Sequence, residues 1–249
     1  FKAQFYKFYS DLGQKDWFIE EWKKLEDITS KIFHPTQGTP MDELFTRYMY
    51  FLRAKEGNKS TTTESLRKFY ERNKHQYIKD ESTIGELQSL ALFWQDIAIQ
   101  NKEKFSDETL KKLFVLNYAP NGMWQYITSV YFLRNKLTED PNQWRDSLDT
   151  EKFNTFLDKI TAFIFAYAVV RPGVGALRTP VFDEMVNIIN GKDVTFERFR
   201  GELNETQTRP MFENYQFTNG RPITRSLLTW YAYTFEGQKL LDLDESLQI

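Results

Sequence analysis

The side chains that could do chemistry are few. Histidines number two: His34 beside a Pro-Gly loop and His75 on a strongly charged segment, neither with a second histidine at metal-ligand spacing, so both are expected to be structural or solvated. Glu21-Trp22-Lys23 has the carboxylate-x-lysine spacing of many nucleases but falls on an amphipathic helix pattern instead of a strand. Gly173 and Gly175 suggest a phosphate-cradling turn, yet no strand precedes them and no Gly-Lys-Ser/Thr follows. No Ser-His-Asp arrangement can be assembled. These readings leave no catalytic, metal or cofactor-binding residue to name.

One charge pattern is more distinctive. Arg171, Arg178, Arg198, Arg200, Arg209, Arg221 and Arg225 are seven of thirteen arginines, while Lys192 is the only one of twenty lysines in that span. A planar guanidinium fork suits carboxylate or phosphate. Glu197, Glu202, Glu205 and Glu213 lie among them, so two readings stay open: local salt bridges, or contact with DNA or a neighbouring domain through Arg171, Arg178, Arg198, Arg200, Arg221 and Arg225.

The elements that must position these groups read as helices. The pattern Phe18, Trp22, Leu25, Ile28, Ile32 predicts a helix from about Asp16 to Phe33. Thr39, Pro40 and Asp42 read as N-cap, first-turn proline and first-turn acid of a helix through Leu44, Tyr48 and Phe51 that ends near Gly57. Thr61 with Glu64 and Thr83 with Glu86 read as capping boxes. Further helices are expected near Asp107 to Tyr118, Met123 to Asn135 and Glu151 to Val170, the last a buried pillar, and from Gly220 to Gly237. Ser246 to Ile249 resembles the approach to a strand. The expected fold is all-α, a bundle of about ten to twelve helices in two packed subdomains. These are 1–170 and 171–249, divided at Arg171-Pro172-Gly173-Val174-Gly175.

Bulk numbers set the remaining bounds. The 249 residues suffice for a sizeable core, and the 22 Phe, 13 Tyr and 6 Trp are expected to fill gaps between helices. A net charge of −2 argues against a chain-wide polybasic nucleic-acid binder while leaving room for a local basic face. With no cysteine, disulfides, thiolate metal sites and cysteine nucleophiles drop out, which suits a cytoplasmic setting. The apolar run Ile160 to Val170 is about half the roughly 20 residues that span a membrane, so no membrane is expected as a partner. Opening on Phe1, already in helical register, the chain reads as a piece cut from a longer protein.

Two stretches carry a resemblance. Phe1-Lys2-Ala3-Gln4-Phe5-Tyr6 resembles the helix that follows the first domain of the GmrSD-type modification-dependent restriction endonucleases. Arg221-Pro222-Ile223-Thr224-Arg225-Ser226-Leu227-Leu228, Leu240-Leu241-Asp242-Leu243 and Leu247-Gln248-Ile249 resemble the approach to that family's His-Asn-His nuclease motif. Relatives join a ParB/sulfiredoxin-like nucleotide-hydrolysing domain to a helical middle and a C-terminal nuclease. An Ile at this point is there followed by Glu-His-Ile, which would put the catalytic histidine just past Ile249. The Asp-Gly-Gln-Gln-Arg signature and the nuclease His and Asn are absent, so no catalytic residue is carried over. The resemblance implies a helical scaffold without catalysis of its own and with no cofactor in this region. It implies a phage-defence parent that uses a nucleotide and a divalent metal, with DNA and the parent's flanking domains as partners. The alternative is a stand-alone helical protein-interaction module.

Overall fold

A computed structural model describes residues 1–136, 138, 140, 148–171, 173, 175–214 and 221–234. Among the described residues the fold is all-α, with twelve α-helices and no strand. In chain order they are α1 (Lys2–Asp11), α2 (Lys15–Ile32), α3 (Pro40–Lys55), α4 (Leu66–His75), α5 (Ser82–Ala98) and α6 (Asp107–Asn117). Then follow α7 (Met123–Asn135), α8 (Thr150–Val170), α9 (Arg178–Ile189), α10 (Glu197–Arg200), α11 (Glu205–Glu213) and α12 (Arg221–Thr234). The strand-like ending Ser246 to Ile249 and the stretch Leu240 to Leu243 lie outside the described residues. So do Pro172, Val174 and the end of the last helix at Gly237.

Helix starts follow side-chain chemistry. Thr39 accepts from the Asp42 N–H while the Asp42 carboxylate accepts from the Thr39 N–H, a reciprocal cap that meets two otherwise orphaned donors, with Pro40 at the first helical position. Two expected caps are corrected. The cap of α4 is Ser65, whose hydroxyl accepts from the Lys68 N–H, while the Glu64 carboxylate is held by Arg72 instead of closing a box with Thr61. Thr83 lies inside α5 and donates to the Tyr77 carbonyl, and Glu86 accepts from the Tyr48 hydroxyl. In both cases other partners take the groups that the box would use, Arg72 and Tyr77 from the same stretch of chain and Tyr48 from α3.

The core is aromatic. Phe18, Trp22 and Leu25 of α2 are buried, as the stripe predicts, and the rings of Phe18 and Trp22 join Phe5 and Phe45 in a cluster with centroid spacings of 5.5–6.2 Å. A second cluster stacks Phe93 of α5 on Phe132 of α7 at 4.2 Å, with Phe153 of α8 edge-on at 6.1 Å. Offset and edge-to-face rings at these distances add about 0.5–1.5 kcal/mol per pair beyond area burial. α8 is long and apolar enough to cross a membrane by length and composition, but 72% of its most apolar window is packed inside the protein, as befits a core helix. Across the break at Arg171, α9 packs on α3 and α7, and Phe182 meets Tyr50 at 5.3 Å. α12 lies against α6 and α8.

Candidate functional site

The arginine-rich span is laid out by α9 and the turn after it. α9 buries Val181, Phe182, Met185 and Ile188, and this apolar face carries Glu184, itself only 3% exposed. The Glu184 carboxylate accepts from the backbone N–H groups of Thr195 (3.2 Å) and Phe196 (2.9 Å) and from Asn187 Nδ2 (3.3 Å). Burial pushes its carboxyl above the ordinary value, and the bonds from Thr195, Asn187 and Phe196 oppose that rise. Phe196, held at φ +49°, lays its ring flat on Phe163 of α8 at 3.8 Å. A non-glycine residue in the left-handed region persists only where its surroundings over-determine it, and here the carboxylate and the stacked ring do so. α10 therefore starts at a fixed point.

From that anchor the arginines divide. Arg198 on α10 donates to Asp183 at 2.9 Å, and Lys59 reaches the same carboxylate at 3.6 Å. Arg171, which follows α8, pairs with Glu202 at 2.9 Å, and Arg209 on α11 pairs with Glu205 at 2.5 Å. The carboxylate beside Arg171 holds its guanidinium above its usual value. Arg178 at the start of α9, Arg200 at the end of α10 and Arg225 on α12 are exposed, with no ion pair to an acid among the described residues. The Arg221 side chain lies outside the described residues. Local pairing thus accounts for Arg171, Arg198 and Arg209, and leaves Arg178, Arg200 and Arg225 available to an outside partner.

The surface around α10 is grooved. A cavity of about 610 Å³ is lined by Lys59, Asp183, Lys192, Glu197 and Arg198 among others, a wall of mixed sign. A second, of about 400 Å³, sets Lys159 and Arg200 over Phe163 and Phe196. Among the described residues no group of three or more His, Cys, Asp or Glu stands close enough to hold a metal ion. No family model, curated protein or solved structure matches the chain.

The remaining sequence candidates take structural places. His34 is exposed, and His75 places Nδ1 3.1 Å from the Tyr70 carbonyl. Glu21 pairs with Lys24 at 2.7 Å on α2, and Trp22 between Glu21 and Lys23 is core. Glu184 and Lys59 are what sequence reasoning misses. A lone acid inside an apolar helical stripe is the available signal for Glu184, whereas Lys59 meets Asp183 only through tertiary packing.

Proposed function

We propose that this chain is the helical scaffold of a DNA-cleaving, modification-dependent restriction protein. In that reading it carries the parent's nucleotide-hydrolysing and nuclease domains and touches DNA through arginines it does not use internally. The family comes from the resemblance at the two ends of the chain. The observation that supports DNA contact is the division of the arginines. Arg178, Arg200 and Arg225 are exposed and free of carboxylate partners among the described residues, although acids are plentiful nearby. An exposed arginine without a counter-charge is available to a phosphate oxygen. A nucleotide and a divalent metal belong to the flanking domains of such a parent.

Fluorescence anisotropy on a labelled duplex at graded salt tests this reading. Arg178→Glu, Arg200→Glu and Arg225→Glu together should weaken binding and reduce the slope of log K against log salt by roughly 2.7, about 0.9 for each phosphate no longer neutralised. Unchanged affinity and slope would remove the DNA contact. A second reading, a protein-interaction module, is favoured by a different observation. Met211 and Phe212 on α11 and Leu228 on α12 are 44%, 45% and 63% exposed. Such side chains in solvent suit an interface more than a monomer surface. Under that reading the chain stands alone and binds no duplex, and Phe212→Asp with Leu228→Asp removes the association that sedimentation detects for the wild-type chain.

A further inference from the structure

The cavity of about 400 Å³ beside α10 differs from its neighbours in the sign of its wall. Among the described residues that line it, Lys159 and Arg200 are the only charged ones, and both are exposed. The adjoining cavities carry Asp183 and Glu197 in one case and Asp149, Glu151 and Asp193 in the other. Neither cation has an acid partner among the described residues. Asp158, next to Lys159 in the chain, is paired with Lys112 at 2.7 Å, and Glu202, two residues after Arg200, is paired with Arg171 at 2.9 Å. Two cations left facing one cavity without a counter-charge favour an anion there.

The rest of the wall is largely apolar and held in place. Ala162 and Phe163 lie one turn on from Lys159 along α8, and Val194, Phe196 and Leu203 close the other side. Phe196 cannot swing away, since its N–H is held by Glu184 and its ring is stacked on Phe163. α8 also packs on the 3₁₀ turn Gly201–Leu203, which sets Leu203 and the end of α10 against it. Thr195 adds a hydroxyl that accepts from the Glu197 N–H at 3.4 Å and keeps its own hydrogen to donate. We infer that this cavity binds a phosphate monoester carried on a compact apolar body. At neutral pH the monoester carries about 1.5 to 2 negative charges, matching the two cations, whereas a carboxylate or a phosphodiester leaves one of them unbalanced. A wall formed before the ligand arrives takes the body without further ordering. The volume equals about 13 waters of liquid, which sets that body at on the order of a single ring. Only Arg200 is shared with the arginines proposed to meet DNA, and Lys159→Gln leaves all of those in place, so either reading can fail alone.

Amide resonances of Ala162, Thr195 and Leu203 in the full chain, titrated with phenyl phosphate, methyl phenyl phosphate, benzoate and inorganic phosphate, test the assignment. Phenyl phosphate should give saturable shifts at all three positions. The diester and benzoate should bind more weakly for want of charge, and inorganic phosphate for want of a ring. Lys159→Gln and Arg200→Gln, both at exposed side chains, should each weaken phenyl phosphate roughly 10-fold, the worth of a hydrogen bond between charged groups. Ala162→Glu sets a negative charge at the exposed rim and should abolish binding, whereas Lys152→Gln, on the same helix but outside this cavity, should leave it unchanged. Far-ultraviolet circular dichroism checks that each variant is folded. No saturable shift with phenyl phosphate, equal weakening by Lys152→Gln and Lys159→Gln, or binding that survives Ala162→Glu in a folded chain each overturns the proposal. Inorganic phosphate binding as tightly as phenyl phosphate overturns the apolar body, and benzoate binding as tightly overturns the dianion.

Discussion

Glu184 and Arg47 each take a position on a buried helix face, Glu184 held by Asn187 and the turn after its own helix, Arg47 by Glu43 one turn back and by Gln125 on α7. Glu184 holds two backbone N–H groups of the turn that launches α10, so Glu184→Ala strands buried donors. We expect a loss of about 1–3 kcal/mol in urea unfolding, and faster amide exchange at Thr195 and Phe196 than in the parent chain. The pH dependence has a definite sign. A carboxyl whose folded pKa is raised binds its proton more tightly in the native state. Its contribution is therefore full below the unfolded value and is lost as pH rises through the folded one. The urea midpoint of the wild type relative to Glu184→Gln should thus rise as pH is taken from 7 toward about 4. No such change would contradict the assigned burial. For Arg47 the useful measurement is a double-mutant cycle with Glu43. Glu43→Gln together with Arg47→Met should cost less than the sum of the single changes, because removing both partners leaves no uncompensated charge.

At the scale of the element, the capping assignments separate positions that look alike in sequence. Thr39→Ala should cost about 1 kcal/mol, since it removes one half of a reciprocal cap. Ser65→Ala should cost about 0.5 kcal/mol, its 3.5 Å bond being long. Thr61→Ala, on a residue outside the helix, should change the midpoint of chemical unfolding hardly at all. Equal costs at Thr61 and Ser65 would mean that α4 starts elsewhere. The same element shows why its end is hard to foresee. Asn73, Lys74 and His75 all take positive φ, at 47°, 57° and 63°, in a run of polar residues that reads as an ordinary charged helix. Asn73 tolerates the left-handed region, and contacts along the same stretch of chain support the residues after it. Arg72 is tied to Glu64 and Glu56, and His75 reaches the Tyr70 carbonyl, so the chain is bent back on its own helix.

At the scale of the whole molecule, the aromatic clusters belong to one continuous core that runs from Phe5 to Phe196. Phe93 meets Phe132, Phe105 and Phe153, rings from three separate segments of the chain. Phe93→Ala should cost about 3–5 kcal/mol, the sum of lost transfer energy and a cavity that rigid neighbours cannot fill. Because the core is continuous, far-ultraviolet and near-ultraviolet circular dichroism should report one shifted unfolding transition. Two transitions, with only one moved, would show that the halves unfold separately.

The helical class, the placement of α2, α3, α6, α7 and α8 and the buried stripes of α2 and α3 were written in the sequence. Period-3.6 burial is a property of a single segment and needs no knowledge of its partners. The same logic marked the arginines of 171–225 as a group but could not say which were already engaged. Pairing Arg198 with Asp183 and Arg171 with Glu202, and bringing Lys59 to Asp183 from more than a hundred residues away, depends on how helices dock. Arg47 is a stronger case, since its buried Nη1 is left without a partner only once Phe33 and Trp94 close over it. Sequence alone determined which apolar stripes turn inward. Only the tertiary structure decided which polar groups find partners there and which do not, because satisfying a buried donor or charge is a matter of distance in space, and spacing along one helix does not contain it.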